Sequence, residues 1–89
     1  MVVPKKRRAM ELQKKVIEVI KENTDWKGVI NMKQDLVKDL GIDSFGMLMI
    51  VNTLEEDFLI QIEDEDLKGL KIVSDIVQKL EEKLSVIHY

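Results

Sequence analysis

Apolar positions recur at helical spacing in three separate stretches of this chain. Leu12, Val16, Val19 and Ile20 fall on one stripe, with Ala9 beside them, and predict a first helix over residues 8–23. Met47, Ile50, Val51, Leu54 and Phe58 make a second stripe, and Asp43 supplies an N-cap for a helix from Ser44 to Phe58. Val73, Ile76, Val77, Leu80 and Leu84 make a third, in a helix near residues 74–86. Residues 59–63 read as a connecting loop, and residues 64–70 suit a short helix. Between the first two helices the periodicity stops. Asn23-Thr24-Asp25 and Gly28 break it, and Gly41 ends a short helical turn over residues 36–40. A loop this long needs pins, and Trp26, Val29, Ile30, Leu36, Val37 and Leu40 are the candidates, with Trp26 a plug rather than a ligand platform. The expected architecture is all-α: a four-helix bundle with three longer helices, one short third helix and a long first loop.

The second helix carries more apolar surface than one stripe needs. Phe45, Leu48 and Met49 lie on its far side, continued by Asn52, Glu55 and Glu56. A helix apolar all round is buried or has a partner, so this face either docks another protein or is covered by a neighbouring helix.

Composition narrows the function. Eighty-nine residues, 45% of them hydrophobic, form a single domain spanning 1–89. There is no cysteine, which excludes disulfides, thiolate metal sites and a cysteine nucleophile. The one histidine, His88, lies next to the last residue and leaves a serine hydrolase without a base. No apolar run approaches the roughly 18 residues of a membrane span. The basic start lacks the apolar stretch of a secretory signal. A cytoplasmic monomer is expected.

Charge adds one further point. Residues 35–66 hold ten acids (Asp35, Asp39, Asp43, Glu55, Glu56, Asp57, Glu63, Asp64, Glu65 and Asp66) and one base, Lys38, although the chain as a whole carries only −3. Such a block either steers basic protein partners to this region or is ordinary solvated surface, and it disfavours nucleic acid. Lys5, Lys6, Arg7 and Arg8 read as a solvated, mobile basic extension over residues 1–8 rather than a nucleic-acid arm. Met10 would serve equally well as a start, which makes residues 1–9 dispensable.

Catalytic chemistry is absent from the pattern. The four glycines are scattered, with no phosphate-binding loop. The carboxylates lie on solvated stretches where acid–base tuning is not expected, and Asp64 and Asp66 lack calcium-loop spacing. No catalytic residue, no metal site and no enzyme activity are expected. Ser44 remains, a hydroxyl at a helix start beside a second apolar face, placed for modification rather than catalysis.

From Asp35 to about Leu84 the residues resemble an acyl carrier protein. The matching elements are Asp35-Leu36, Leu40-Gly41-Ile42-Asp43-Ser44-Phe45 and Leu54-Glu55-Glu56-Asp57-Phe58, followed by Glu63-Asp64-Glu65 before Leu67 and Val73-Ser74-Asp75-Ile76-Val77. The resemblance implies a 4′-phosphopantetheine on Ser44, transferred from coenzyme A by a separate phosphopantetheinyl transferase. Acyl groups would ride on that arm as thioesters while enzymes of fatty acid, lipid or polyketide biosynthesis act on them. Basic patches on those enzymes would meet Asp43, Glu55 and Glu56, and apolar pockets would meet Phe45 and Leu48. The resemblance also implies a cargo that tucks between the second and third helices. Phe45 stands where leucine is commoner, and Gly46 and Met49 where acids are usual, which points to a specialised member. Gly46 should cost roughly 1 kcal/mol of helix stability relative to alanine. Ile72 stands where a polar residue often caps the last helix. Ile42 breaks the Gly-Gly pattern of peptidyl carriers. The competing reading is a non-carrier helical adaptor that docks a partner through the apolar face of the second helix.

Overall fold

Each predicted stripe finds its partner in the computed structural model, which describes residues 5–87 and the side chains of residues 10–84. Four helices follow in order: α1 (Lys5–Lys21), α2 (Ser44–Phe58), α3 (Asp64–Leu67) and α4 (Val73–Ile87). Helix α1 packs against both α4 and α2. The core is built from Leu12, Val16, Val19 and Ile20 of α1, Ile50 and Leu54 of α2, and Val73, Ile76, Val77 and Leu80 of α4. Lys15 of α1 also meets Asp57 of α2 at 2.9 Å. No strand forms among the described residues; Asp35 and Ile72 make one isolated antiparallel bridge.

Several boundaries differ from expectation. Helix α1 begins at Lys5, so half of the expected basic extension is helical backbone; residues 1–4 lie outside the described part. Helix α3 is only four residues long, its last turn closed by Leu70 N–H donating to Leu67 O. Met47 and Phe58, expected in the core stripe of α2, are half-buried, and Gly46 is buried in their place.

The long loop is pinned by fewer residues than expected. Ile30, Leu36 and Leu40 are buried, and Ile42, which carries no periodic signal, joins them. Val29, Val37 and Trp26 are exposed, at 85%, 64% and 43%. Trp26 is therefore not a plug. Its indole lies over Gly28, where a Cβ would come within 3.2 Å of the ring, and donates to Val29 O at 3.2 Å.

Backbone bonding completes what apolar pinning leaves open. Val73 N–H donates to Gln34 O at 3.1 Å, Ser74 N–H to Met32 O at 2.9 Å and Leu36 N–H to Lys71 O at 2.9 Å. The first two satisfy N–H groups at the start of α4, which a side-chain cap would otherwise serve, and the third ties Leu36 to the segment just before that helix. Asp75 accepts from Lys71 N–H and Ile72 N–H, both at 2.9 Å. With those partners in place, Ile72 needs no polar side chain.

Candidate functional site

Ser44 is the first residue of α2 and is exposed. Its position is fixed by what precedes it. Asp35 accepts from Val37 N–H and Lys38 N–H, holding the helical turn, and Gly41 leaves that turn at φ 66°, a conformation most side chains avoid. Ile42 then anchors the chain in the core, and Asp43 starts the helix. The Asp43 carboxylate accepts Gly46 N–H at 2.7 Å, and its backbone carbonyl accepts Met47 N–H at 2.9 Å. Thus Asp43 is the cap and Ser44 is released from that duty.

Gly46 has a packing role that its helix propensity hides. A Cβ there would lie 3.1 Å from the Ile42 Cγ2 methyl, 3.3 Å from the capping oxygen of Asp43 and 3.4 Å from Asn23 O. The missing side chain lets the start of α2 close on the loop. Asn23 is itself held by its side-chain amide, which donates to Val19 O, while the Thr24 hydroxyl donates to Leu40 O.

Beside Ser44 opens an apolar cleft of about 540 Å³, within the range of small-molecule sites. Val37 and Ile42 of the loop, Asp43, Ser44, Met47 and Leu48 around α2, and Leu67 of α3 line it. Of these, sequence reasoning missed Val37, Ile42, Met47 and Leu67 as site residues; Met47 shares the helical stripe of the core, so spacing alone reads it as core. Phe45, Leu48 and Met49 are exposed at 71%, 53% and 40%, so within the described protein no neighbouring helix covers this face. Asn52 and Glu56 are exposed as well.

Glu55 departs from the expected role. It is half-buried, and its carboxylate accepts Ile62 N–H at 2.8 Å, tying the end of α2 to the following loop. Much of the acidic block is engaged in the same way. Asp35, Asp39, Asp43 and Glu55 accept backbone N–H groups, whereas Asp57, Glu65 and Asp66 meet lysines. Much of the acidic block around Ser44 therefore also holds the fold.

Electrostatic perturbation follows those contacts. Asp35 is held below the usual aspartate value of 3.8, chiefly by Lys38 N–H, against a desolvation cost. Asp66 is likewise lowered, first by its bond to Lys83 and then by Glu63 N–H. Lys15 is raised by its bond to Asp57, and Lys79 by its bond to Glu82 and then the charge of Glu82 and Asp66. No group of three or more His, Cys, Asp or Glu residues among those described could hold a metal ion.

The residues fit a tethered phosphodiester. The serine oxygen is accessible, the start of a 15-residue helix favours an anion through its dipole and first-turn N–H groups, and an apolar cleft adjoins it.

Comparison with known proteins agrees with this geometry. At 40% identity over 72 residues, the chain matches a meromycolate extension acyl carrier protein of Mycobacterium leprae, covering 76% of this chain and 63% of that protein. It therefore spans a little under two thirds of the length of this relative. An acyl carrier protein of Campylobacter lari is 32% identical over 71 residues, covering 80% of this chain and 88% of that one. The crystal structure of an acyl carrier protein from Thermotoga maritima superposes with a TM-score of 0.74 at 27% identity, covering 89% of this chain and 93% of that one. The family model for the phosphopantetheine attachment site matches residues 14–86, and the chain belongs to that family.

Proposed function

We propose that this protein is an acyl carrier whose attachment point is Ser44. The observation that carries the reading is the release of Ser44 from capping: Asp43 bonds Gly46 N–H, so the serine hydroxyl is exposed at the start of α2 beside an apolar cleft. The arm, when bound, supplies a terminal thiol that holds acyl groups as thioesters, a chemistry this cysteine-free chain lacks. The chain's own residues orient and shelter. Asp43 and Ile42 fix the direction in which the Ser44 oxygen leaves the surface. Met47, Leu48 and Leu67 offer apolar walls to a cargo that reaches the cleft. Relatives named as acyl carrier proteins, one of them for meromycolate extension, support an acyl cargo; enzymes of fatty acid, lipid or polyketide synthesis are the class that would act on it.

Phe45, Leu48 and Met49 form the docking face for acyl-processing enzymes and for the transferase that installs the arm. Glu56 and Asn52 border it, and Asp43 and Glu55 add negative charge at its two ends. The cytoplasm, where coenzyme A is available, is the expected compartment, and a monomer the expected state. No helix among the described residues is long and apolar enough to cross a membrane.

The test is intact-mass spectrometry after incubation with coenzyme A, Mg²⁺ and a promiscuous phosphopantetheinyl transferase. The expected result is a gain of one phosphopantetheine mass in the wild type and none in Ser44→Ala. An unmodified wild type, or a gain that survives the substitution, overturns the assignment.

A further inference from the structure

Helix α3 is the least anchored wall of the cleft. It buries no residue, yet its Leu67 lines the space beside Ser44. The chain is fixed on either side of it. Before α3, Ile62 N–H is held by the Glu55 carboxylate; after it, Lys71 O accepts Leu36 N–H and Ile72 pairs with Asp35. Between those points, the backbone bonds that close its turns stay inside the segment, with Asp66 N–H donating to Glu63 O and Leu70 N–H to Leu67 O. Leu70 is half-buried against the core, but it lies beyond the helix.

What draws α3 itself onto the bundle is Asp66. Its Oδ2 meets Lys83 Nζ at 2.7 Å and its Oδ1 meets Lys79 Nζ at 3.5 Å, both lysines lying one turn apart on α4. The Asp66 side chain is only 16% exposed in these pairs. The next residue along is Leu67, the cleft wall. The opposite wall is different: Val37 and Ile42 belong to a loop bonded through its backbone to the start of α4 and sunk into the core at Leu36, Leu40 and Ile42. One wall is tied to the core and to α4, and the other is held to α4 through a carboxylate.

We propose that Asp66, gripped by Lys79 and Lys83, is a latch that sets how far α3 stands from α2 and so how large a cargo the cleft admits. Asp66 is a positioning residue; it acts through Leu67 and does not touch the cargo. The effect on cargo rests on the carrier reading, whereas the effect on α3 does not.

Two measurements on the full chain separate these. The first follows amide exchange with solvent at residues 64–70 in Asp66→Asn, Lys83→Met and Lys83→Arg. Asp66 also accepts Glu63 N–H at 2.8 Å, so its replacement disturbs the local turn as well; Lys83→Met removes the shorter of the two lysine pairs, the main grip of the latch, and leaves that bond. Asp66→Asn and Lys83→Met should speed exchange at residues 64–70 about five- to tenfold, the size expected for a partly sheltered ion-pair network, with the remaining helices within about twofold. Lys83→Arg keeps the charge and should behave as wild type. Unchanged exchange in Lys83→Met, or an increase spread over all helices, overturns the latch. The second loads Ser44 with phosphopantetheine arms bearing acyl chains of increasing length and records Tm. Lys83→Met should move the best-stabilising chain to greater length; the same optimum as wild type refutes control of cargo size. A chain that accepts no arm sinks the carrier reading alone, and the exchange result still decides the latch.

Discussion

At the scale of single residues, the site separates two duties that a serine at a helix start often combines. Asp43 caps α2 and Ser44 does not, so their substitutions should have opposite signatures. Asp43→Ala removes the bond to Gly46 N–H and should cost about 1 kcal/mol in denaturant unfolding. Ser44→Ala should change stability by less than about 0.5 kcal/mol, because no packing or cap is lost at this exposed position. A larger loss in Ser44→Ala than in Asp43→Ala would show that the serine holds the helix. Gly46 makes the same point from the other side. Judged by propensity it is a weak helix residue; judged by its neighbours it is the gap into which Ile42, Asp43 and Asn23 close. Sequence alone gives the first judgement and not the second, because the contact with Asn23 spans the whole long loop.

At the scale of elements, α2 was the most legible and α3 the least. The Asp-Ser start and the spacing of Ile50, Val51 and Leu54 are local signals, and they place α2 at Ser44–Phe58 as expected. The exposure of Phe45, Leu48 and Met49 also follows from spacing, since a small bundle cannot cover both sides of one helix. What was not legible depends on distant partners. The loop pins differ because Val37 stays exposed at the cleft while Ile42, which also lines it, sinks into the core, a choice set by the bonded turn at Asp35 rather than by hydropathy. The end of α2 holds another element-scale consequence. Leu59 closes the helix at φ 54° and ψ 47°, in the left-handed region that suits glycine, and its side chain is exposed. Leu59→Gly should therefore stabilise the protein, by up to about 1 kcal/mol once the greater freedom of the unfolded glycine is set against the relieved strain. A drop in Tm for this variant would mean that the leucine side chain has a contact worth more than the strain.

At the scale of the whole molecule, acidic residues join segments that hydrophobic packing leaves loose. Asp35 secures the loop turn and Asp66 secures α3, and both carboxyls titrate below the ordinary value of 3.8. A carboxyl lowered on folding contributes stability that is complete above its unfolded pKa and is lost as pH falls through its folded one. Asp35→Asn combined with Asp66→Asn should therefore lower stability at neutral pH and flatten its decline below about pH 4, as read from urea unfolding across that range. An equally steep decline in the double variant would assign the acid sensitivity to other carboxylates. The order of this fold thus has two sources, apolar stripes that are visible in the sequence and carboxylate-to-backbone bonds that, apart from the Asp43 cap, are not, because the other nine acids look equally solvated on paper. One further consequence belongs to Trp26. It is the only tryptophan, it is partly exposed, and its loop departs from Asn23, whose carbonyl rests against the start of α2. The protein thus has a built-in optical probe three residues from that contact, and ultraviolet emission can follow events at the Ser44 end without any dye.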